Sequence, residues 1–272
     1  MTREETIALW ERSENVRSTK LKEGKSQDDA HEAAKSIWNS WASDVLKLRS
    51  TLEESSQFHT KKDNPFEGYV APETFSADTP TLEWMRAAQT NFSGFVFDTK
   101  PNFRGFIFPG QAWFGESSHA RRERKEREVT IFSSGARFSE AVFYMDAVFD
   151  RAEFCQNAGF RDAVFRGIAR FDECKFKDAA WFIRASFLDD VWFGQCEFDG
   201  FTNFANATFQ GNCSFSGSRC NGAFALNEAF FAKVPDFTQT AFLQAPRLDN
   251  VSLPTLGFFP CAHRVMATTC SD

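Results

Sequence analysis

The chain has 272 residues, 25% of them charged, and a net charge of −6 at pH 7. This is length for one long domain or two small ones, and the acidic balance argues against a nucleic-acid partner, whose domain is ordinarily basic. No run approaches the ~18 apolar residues of a membrane helix and no charged start leads into an apolar leader. The seven cysteines lack regular spacing and read as reduced thiols of a cytoplasmic protein.

Residues 1–60 are rich in Glu, Lys, Ala and Ser. Ala30, Ala34, Ile37, Trp38, Trp41, Val45, Leu48 and Leu52 fall at steps of three and four, which predicts an amphipathic helix from about Gln27 to Glu54. Asp28 and Asp29 in its first turn suit the helix dipole. A weaker helix upstream carries Ile7 and Trp10, and Gly24 separates the two. They can pair as a hairpin. That hairpin has two possible uses: it covers an end of whatever follows, or Trp38 and Trp41 dock a partner or a second copy. Residues 61–89 contain Pro65, Pro72, Pro80 and Gly68 and read as a linker. They close on a short capping helix at Thr81–Ala88.

Beyond this point phenylalanine recurs on a strict beat. It stands at Phe132, Phe138, Phe143, Phe149, Phe154, Phe160, Phe165, Phe171, Phe176, Phe182, Phe187, Phe193, Phe198, Phe204, Phe209 and Phe215, in steps that alternate six and five. The residue two before each is small, as at Ala136, Ala141, Ala147, Ala152, Ala158, Ala163, Ala169, Cys174, Ala180, Ala185 and Cys196. Residues two apart on an extended segment face the same side. Each large ring and its small partner therefore point inward, while the residue between them, such as Arg137, Glu153 or Lys175, faces water. A unit this short cannot bury its own ring; stacking many units does.

Upstream, Phe92, Phe97, Phe103, Phe108 and Phe114 keep the same beat. The next centre falls on position 119, yet the repeat resumes at Phe132, an insertion of thirteen residues within Gly115–Val129. Within it, Arg121–Glu128 holds Arg121, Arg122, Arg124, Lys125 and Arg127 against three Glu. Downstream the pattern decays. Cys220, Leu226, Leu248 and Leu253 stand at centres, and Pro235 and Pro246 replace the small residue, which suits an approach to an end.

The stretches AVFYMDAVFDRAEF, AVFRGIARFDECKF and TNFANATFQGNCSF resemble the pentapeptide-repeat family, in its Phe-rich form with alternating five- and six-residue units. The resemblance covers roughly Thr90 to Leu253. It implies a mainly β fold, a right-handed quadrilateral β-helix with four units per coil, which here makes about 22 residues per coil. The domain reading is then a helical segment at 1–60, a linker with a short helix at 61–89, a β-helix at 90–253 interrupted at about 115–129, and an irregular tail at 254–272.

Signals of enzyme chemistry fail one by one. Gly24-Lys25-Ser26 ends like a phosphate loop, but Thr19 stands where that motif needs its first Gly. His31-Glu32 opens like a zinc-protease motif, but Lys35 stands where the second His belongs. No metal or cofactor is expected. Cys174 and Cys196, 22 residues apart, should stack in successive coils as small core residues. Cys213 and Cys220 read as core, and Cys155 as outward-facing.

The expected function is a non-catalytic scaffold or protein-interaction module. Its candidate partner-binding residues are Trp38, Trp41, Arg121, Arg122, Arg124, Lys125 and Arg127. The partner is an unidentified protein, or a second copy through the N-terminal helix or an end of the β-helix. The rival, implied by the family resemblance, is a DNA mimic that binds or protects DNA gyrase. Residues 132–253 carry 15 Asp and Glu against 11 Lys and Arg, interspersed, which is an ordinary solvated surface.

Overall fold

The computed structural model describes residues 1–58, 79–115 and 129–254. Three helices precede a β-solenoid: α1 (Arg3–Lys22), α2 (Gln27–Glu54) and α3 (Pro80–Ala88). Each helix starts where its sequence can satisfy the free amides of a first turn. Thr2 and Glu5 form a reciprocal capping box on α1, Ser26 accepts from the Asp29 amide on α2, and Thr79 with Pro80 opens α3. Gly24, at φ +79°, makes the left-handed turn that ends α1 and lets α2 fold back on it.

Among the described residues the solenoid consists of twenty-four strands of two residues each, gathered into four parallel sheets. The four sheets are the sides of the coil, met in turn along the chain. The first side runs from Thr90–Asn91 to Cys213–Ser214 and the second from Val96–Phe97 to Ala241–Phe242. The third runs from Ala136–Arg137 to Phe224–Ala225, and the fourth from Ile107–Phe108 to Phe230–Phe231. Register confirms the count: Ala158 pairs with Ala180 and Phe165 with Phe187, each one coil of 22 residues apart. Across the insertion the step lengthens by thirteen, with Ala112 opposite Ala147 and Phe97 opposite Phe132. The coil above continues in register, so the sides of the solenoid are not shifted across the insertion.

The alternation of five and six has a structural cause. From Phe138 onward, after each centre on the first and third sides the chain makes a tight turn, such as Phe160-Arg161-Asp162-Ala163. The Ala163 amide donates back to the Phe160 carbonyl at 3.1 Å, and Asp162 sits at φ +58°. That is a type II turn, and it recurs every eleven residues at Glu140, Arg151, Asp162, Glu173, Arg184, Gln195, Asn206, Gly217, Glu228, Gln239 and Asn250. The corners after the second and fourth sides are wider and take the extra residue.

Inside, the Phe side chains form four columns. Successive rings in a column are nearly parallel, for example Phe154 and Phe176 at 4.9 Å and 1°. Rings of different columns meet edge-on, as Phe149 and Phe160 do at 5.5 Å and 90°. Both are favoured aromatic geometries. Every centre from Phe138 to Phe215 is closed to solvent, and so are the alanines two residues before them. Each buried ring contributes on the order of 1.5–3 kcal/mol.

Candidate interaction surfaces

The two helices of the hairpin lie across the first coil. Trp10 packs on Phe103 at 4.4 Å and edge-on to Phe92 and Phe97. Trp38 packs on Phe106 and Phe108 at 5.6 and 5.5 Å. Polar side chains take up the backbone edge that a preceding coil would have paired. Asn39 Oδ1 accepts from the Ile107 amide and its Nδ2 donates to the Gly105 carbonyl, both at 3.0 Å. Thr6 Oγ1 accepts from the Asn91 amide, and the His31 ring Nε2 lies 2.8 Å from the Arg104 carbonyl. A bare sheet edge is thus sealed by side chains that imitate a strand.

This placement corrects one expectation. Trp38 is fully buried, so its ring is spent on covering the first coil and no partner can reach it. Trp41 is half-buried. It lines a groove of about 940 Å³ between α1, α2 and α3, together with Glu5, Leu9, Arg12 and Arg86. Helix α3 braces α2 rather than lying over the rings. Trp84, Met85 and Ala88 join Val45 and Leu52 in a small core of their own, and the Trp84 indole donates to the Val45 carbonyl at 2.7 Å. Arg121, Arg122, Arg124, Lys125 and Arg127 lie outside the described residues, as does the tail from residue 255.

Two residues of the cap went unread in the sequence. Phe95 and Phe106 occupy the column reserved for small residues, two before Phe97 and Phe108. A ring fits there only because no coil lies beneath, and Phe106 instead meets Trp10, Trp38 and His31. A large residue in the small column was the signal that this coil is terminal. Phe224 breaks the same rule near the other end. It compensates for two centres smaller than Phe, Cys220 and Leu226, and contacts Phe215 at 5.5 Å.

The outer faces are laced by ion pairs one coil apart. Arg151 reaches Glu173 at 2.7 Å, Arg184 reaches Asp162 at 2.6 Å, and Lys175 and Lys177 both reach Glu153. Arg170 holds Asp150 of the neighbouring coil and also Asp172 of its own, and Arg104 holds Glu140. The hydrogen bonds from Lys177 and Lys175 keep the Glu153 carboxyl below its ordinary pKa. Cys174 and Cys196 sit in adjacent coils, flanking the paired Lys175 and Glu197. Their thiols donate to the carbonyls of Phe149 and Phe171. Burial raises Cys174 and Cys213 far above the ordinary thiol pKa and pushes Cys220 up to about 12. These thiols are inert core residues; Cys155 is partly exposed beside Lys177. Among the described residues no cluster of metal-ligating side chains occurs, and no helix is long and apolar enough to cross a membrane.

A four-sided parallel β-solenoid with phenylalanine at nearly every inward centre, closed at its start by a helical hairpin, defines a class of repeat protein. A family model described as pentapeptide repeats (9 copies) matches residues 130–175, 160–204, 171–219 and 182–229. Residues 130–229 carry pentapeptide repeats of the kind that this family model describes. No curated protein and no solved structure matches the chain.

Proposed function

We propose that the protein is a non-catalytic scaffold that binds another protein through its outer surface. The observation that carries this reading is the division of labour within each unit. The small residue and the Phe are committed to the core, while the residue between them is free to vary without cost to the fold. Four flat faces of outward side chains are therefore available for recognition. The groove at Trp41 and the charged stretch Arg121, Arg122, Arg124, Lys125 and Arg127 are the two places where the chain departs from the bare repeat. Solenoid insertions commonly form binding surfaces.

The pairing of acids across coils speaks against duplex mimicry. Glu140, Asp150, Glu153, Asp162, Asp172 and Glu173 each have a cation within 4 Å, so these faces lack the unbroken anionic field of DNA.

The test is affinity capture from the native cell with three forms: the full chain, Trp41→Ala, and a form with the five cations of the insertion changed to Glu. A protein held by the full chain and lost with either change supports the scaffold. Identical capture by all three forms removes both surfaces from the proposal. Inhibition of gyrase supercoiling at micromolar protein would move the reading to mimicry.

A further inference from the structure

The helical cap has an outward face as well as the face that covers the first coil. On α2, Ile37, Trp41, Asp44 and Leu48 follow one another at helical spacing, so they share one stripe. The neighbouring stripe of Ala34, Trp38 and Val45 is buried. Ile37 and Trp41 are half-buried, and Leu48 is 48% exposed. The groove at Trp41 is continuous with a depression of about 770 Å³ along this stripe, because Arg12 and Trp41 line both. Together they form a slot floored by α2, with residues of α1 and α3 on its walls. Trp41 is held in the slot edge-on to the buried Trp38 at 5.4 Å. It is a rigid apolar anchor point of the kind that dominates binding energy.

Charge gives the slot a sign. Arg12 on α1 and Arg86 on α3 both line it, and both are exposed. Neither guanidinium has an ion-pair or hydrogen-bond partner among the described residues. The acids that line the slot are already engaged. Glu5 closes the capping box of α1, and Asp44 lies 3.5 Å from Lys47.

We propose that this slot binds an acidic amphipathic helix of a partner protein. Apolar residues one turn apart on that helix seat on Ile37, Trp41 and Leu48, and carboxylates on its flanks pair with Arg12 and Arg86, whose planar donors suit them. The length fits, since Ile37 to Leu48 spans about 16 Å, or three turns. The residues lining the slot come from α1, α2 and α3 and their ends. It therefore offers no strand edge for an extended peptide, and a helix in a groove is the mode that remains. Such binding rests on the scaffold role and gives the partner its chemistry.

The experiment is fluorescence anisotropy of a labelled synthetic helix of about fourteen residues, four turns, with Leu along one stripe and Glu on both flanks. A second peptide carries Lys in place of every Glu. The expected result is saturable binding of the Glu peptide to the full chain, with the Lys peptide weaker by roughly tenfold or more. Arg12→Glu combined with Arg86→Glu should weaken the Glu peptide by roughly tenfold and strengthen the Lys peptide, a reversal that unfolding cannot produce. Leu48→Asn, at an exposed position, should weaken the Glu peptide without altering charge. Failure of the Glu peptide to bind at hundreds of micromolar overturns the proposal, as when residues 59–78 or a second copy fill the slot. Equal binding of the two peptides overturns it too, as does binding indifferent to these substitutions. The scaffold role survives each of those failures if a cell protein is still captured by the full chain and lost when the five cations of the insertion are changed.

Discussion

The indole Nε1–H of Trp38 donates to the backbone carbonyl of Ile107 at 2.8 Å, tying the middle of the long helix to the first strand of the fourth side. The ring itself closes the Phe stack, so one side chain supplies both apolar cover and a partner for the sheet edge.

Replacing Trp38 should therefore have graded effects. Trp38→Phe keeps most of the cover but leaves the carbonyl unbonded, a loss of about 1 kcal/mol. Trp38→Ala opens a cavity over Phe92 and Phe108 and should cost about 3–5 kcal/mol. Urea unfolding followed by tryptophan fluorescence measures both. Equal losses would mean that the hydrogen bond rather than the ring holds the cap.

The small column should tolerate nothing larger in mid-solenoid. Ala163 and Ala185 are fully buried between stacked rings. Ala163→Leu should cost about 1–3 kcal/mol by overpacking, although the change adds apolar surface. Thermal unfolding reads the loss. A neutral result would show that the ring columns can part to admit a side chain.

The tight corners give a backbone test. Gly217 occupies the left-handed corner at φ +71°, with space around its Cα for a side chain. Gly217→Val should lose about 1–2 kcal/mol through that dihedral alone. Gly217→Asn, the residue type already at Asn206 and Asn250, should be nearly neutral. Gly222 differs in cause. Its corner is ordinary in φ, but a Cβ there would overlap the Gly200 backbone, so Gly222→Ala should be destabilising. Chemical denaturation of the three variants distinguishes strain from collision.

Stability should fall on the acid side of neutrality through His31. The ring is buried against Phe106, and burial lowers its pKa. The Arg104 carbonyl and Glu32 oppose that shift, while Lys35 and Arg104 add to it. Its Nδ1 has no partner, so a proton there would be buried uncompensated. In the unfolded chain the ring titrates near 6.5, and in the folded chain below that. The unfolded state therefore binds more protons across that interval, and stability is complete above about pH 6.5 and declines as pH falls toward the folded value. His31→Gln should flatten this part of the profile. An unchanged slope between about pH 5 and 7 would assign it to other groups.

How much was legible can be argued from particular residues. The boundaries of α2 follow from the spacing of Ala30 to Leu52 and the acidic first turn at Asp28 and Asp29, because an amphipathic stripe and the charge at a helix start are local features. The period of eleven follows from the spacing of the Phe residues alone; the coil of 22 residues and the stacking of Cys174 on Cys196 are what the family resemblance implies. Trp38 has two uses open in the sequence, covering the end of the solenoid or docking a partner, and the structure selects the first. Its burial depends on where the hairpin lies relative to Phe92 and Phe108, residues more than fifty positions away.

By itself the sequence determined the solenoid: a large ring, a small partner and an outward residue, repeated, have one efficient packing, and local register carries it through every coil. The tertiary structure alone decided the ends. Which layer is covered and which stays open depends on the return of α1 and α2 to the first coil. That return rests on contacts between distant segments, such as Asn39 with Ile107 and Trp10 with Phe103, which no repeat encodes.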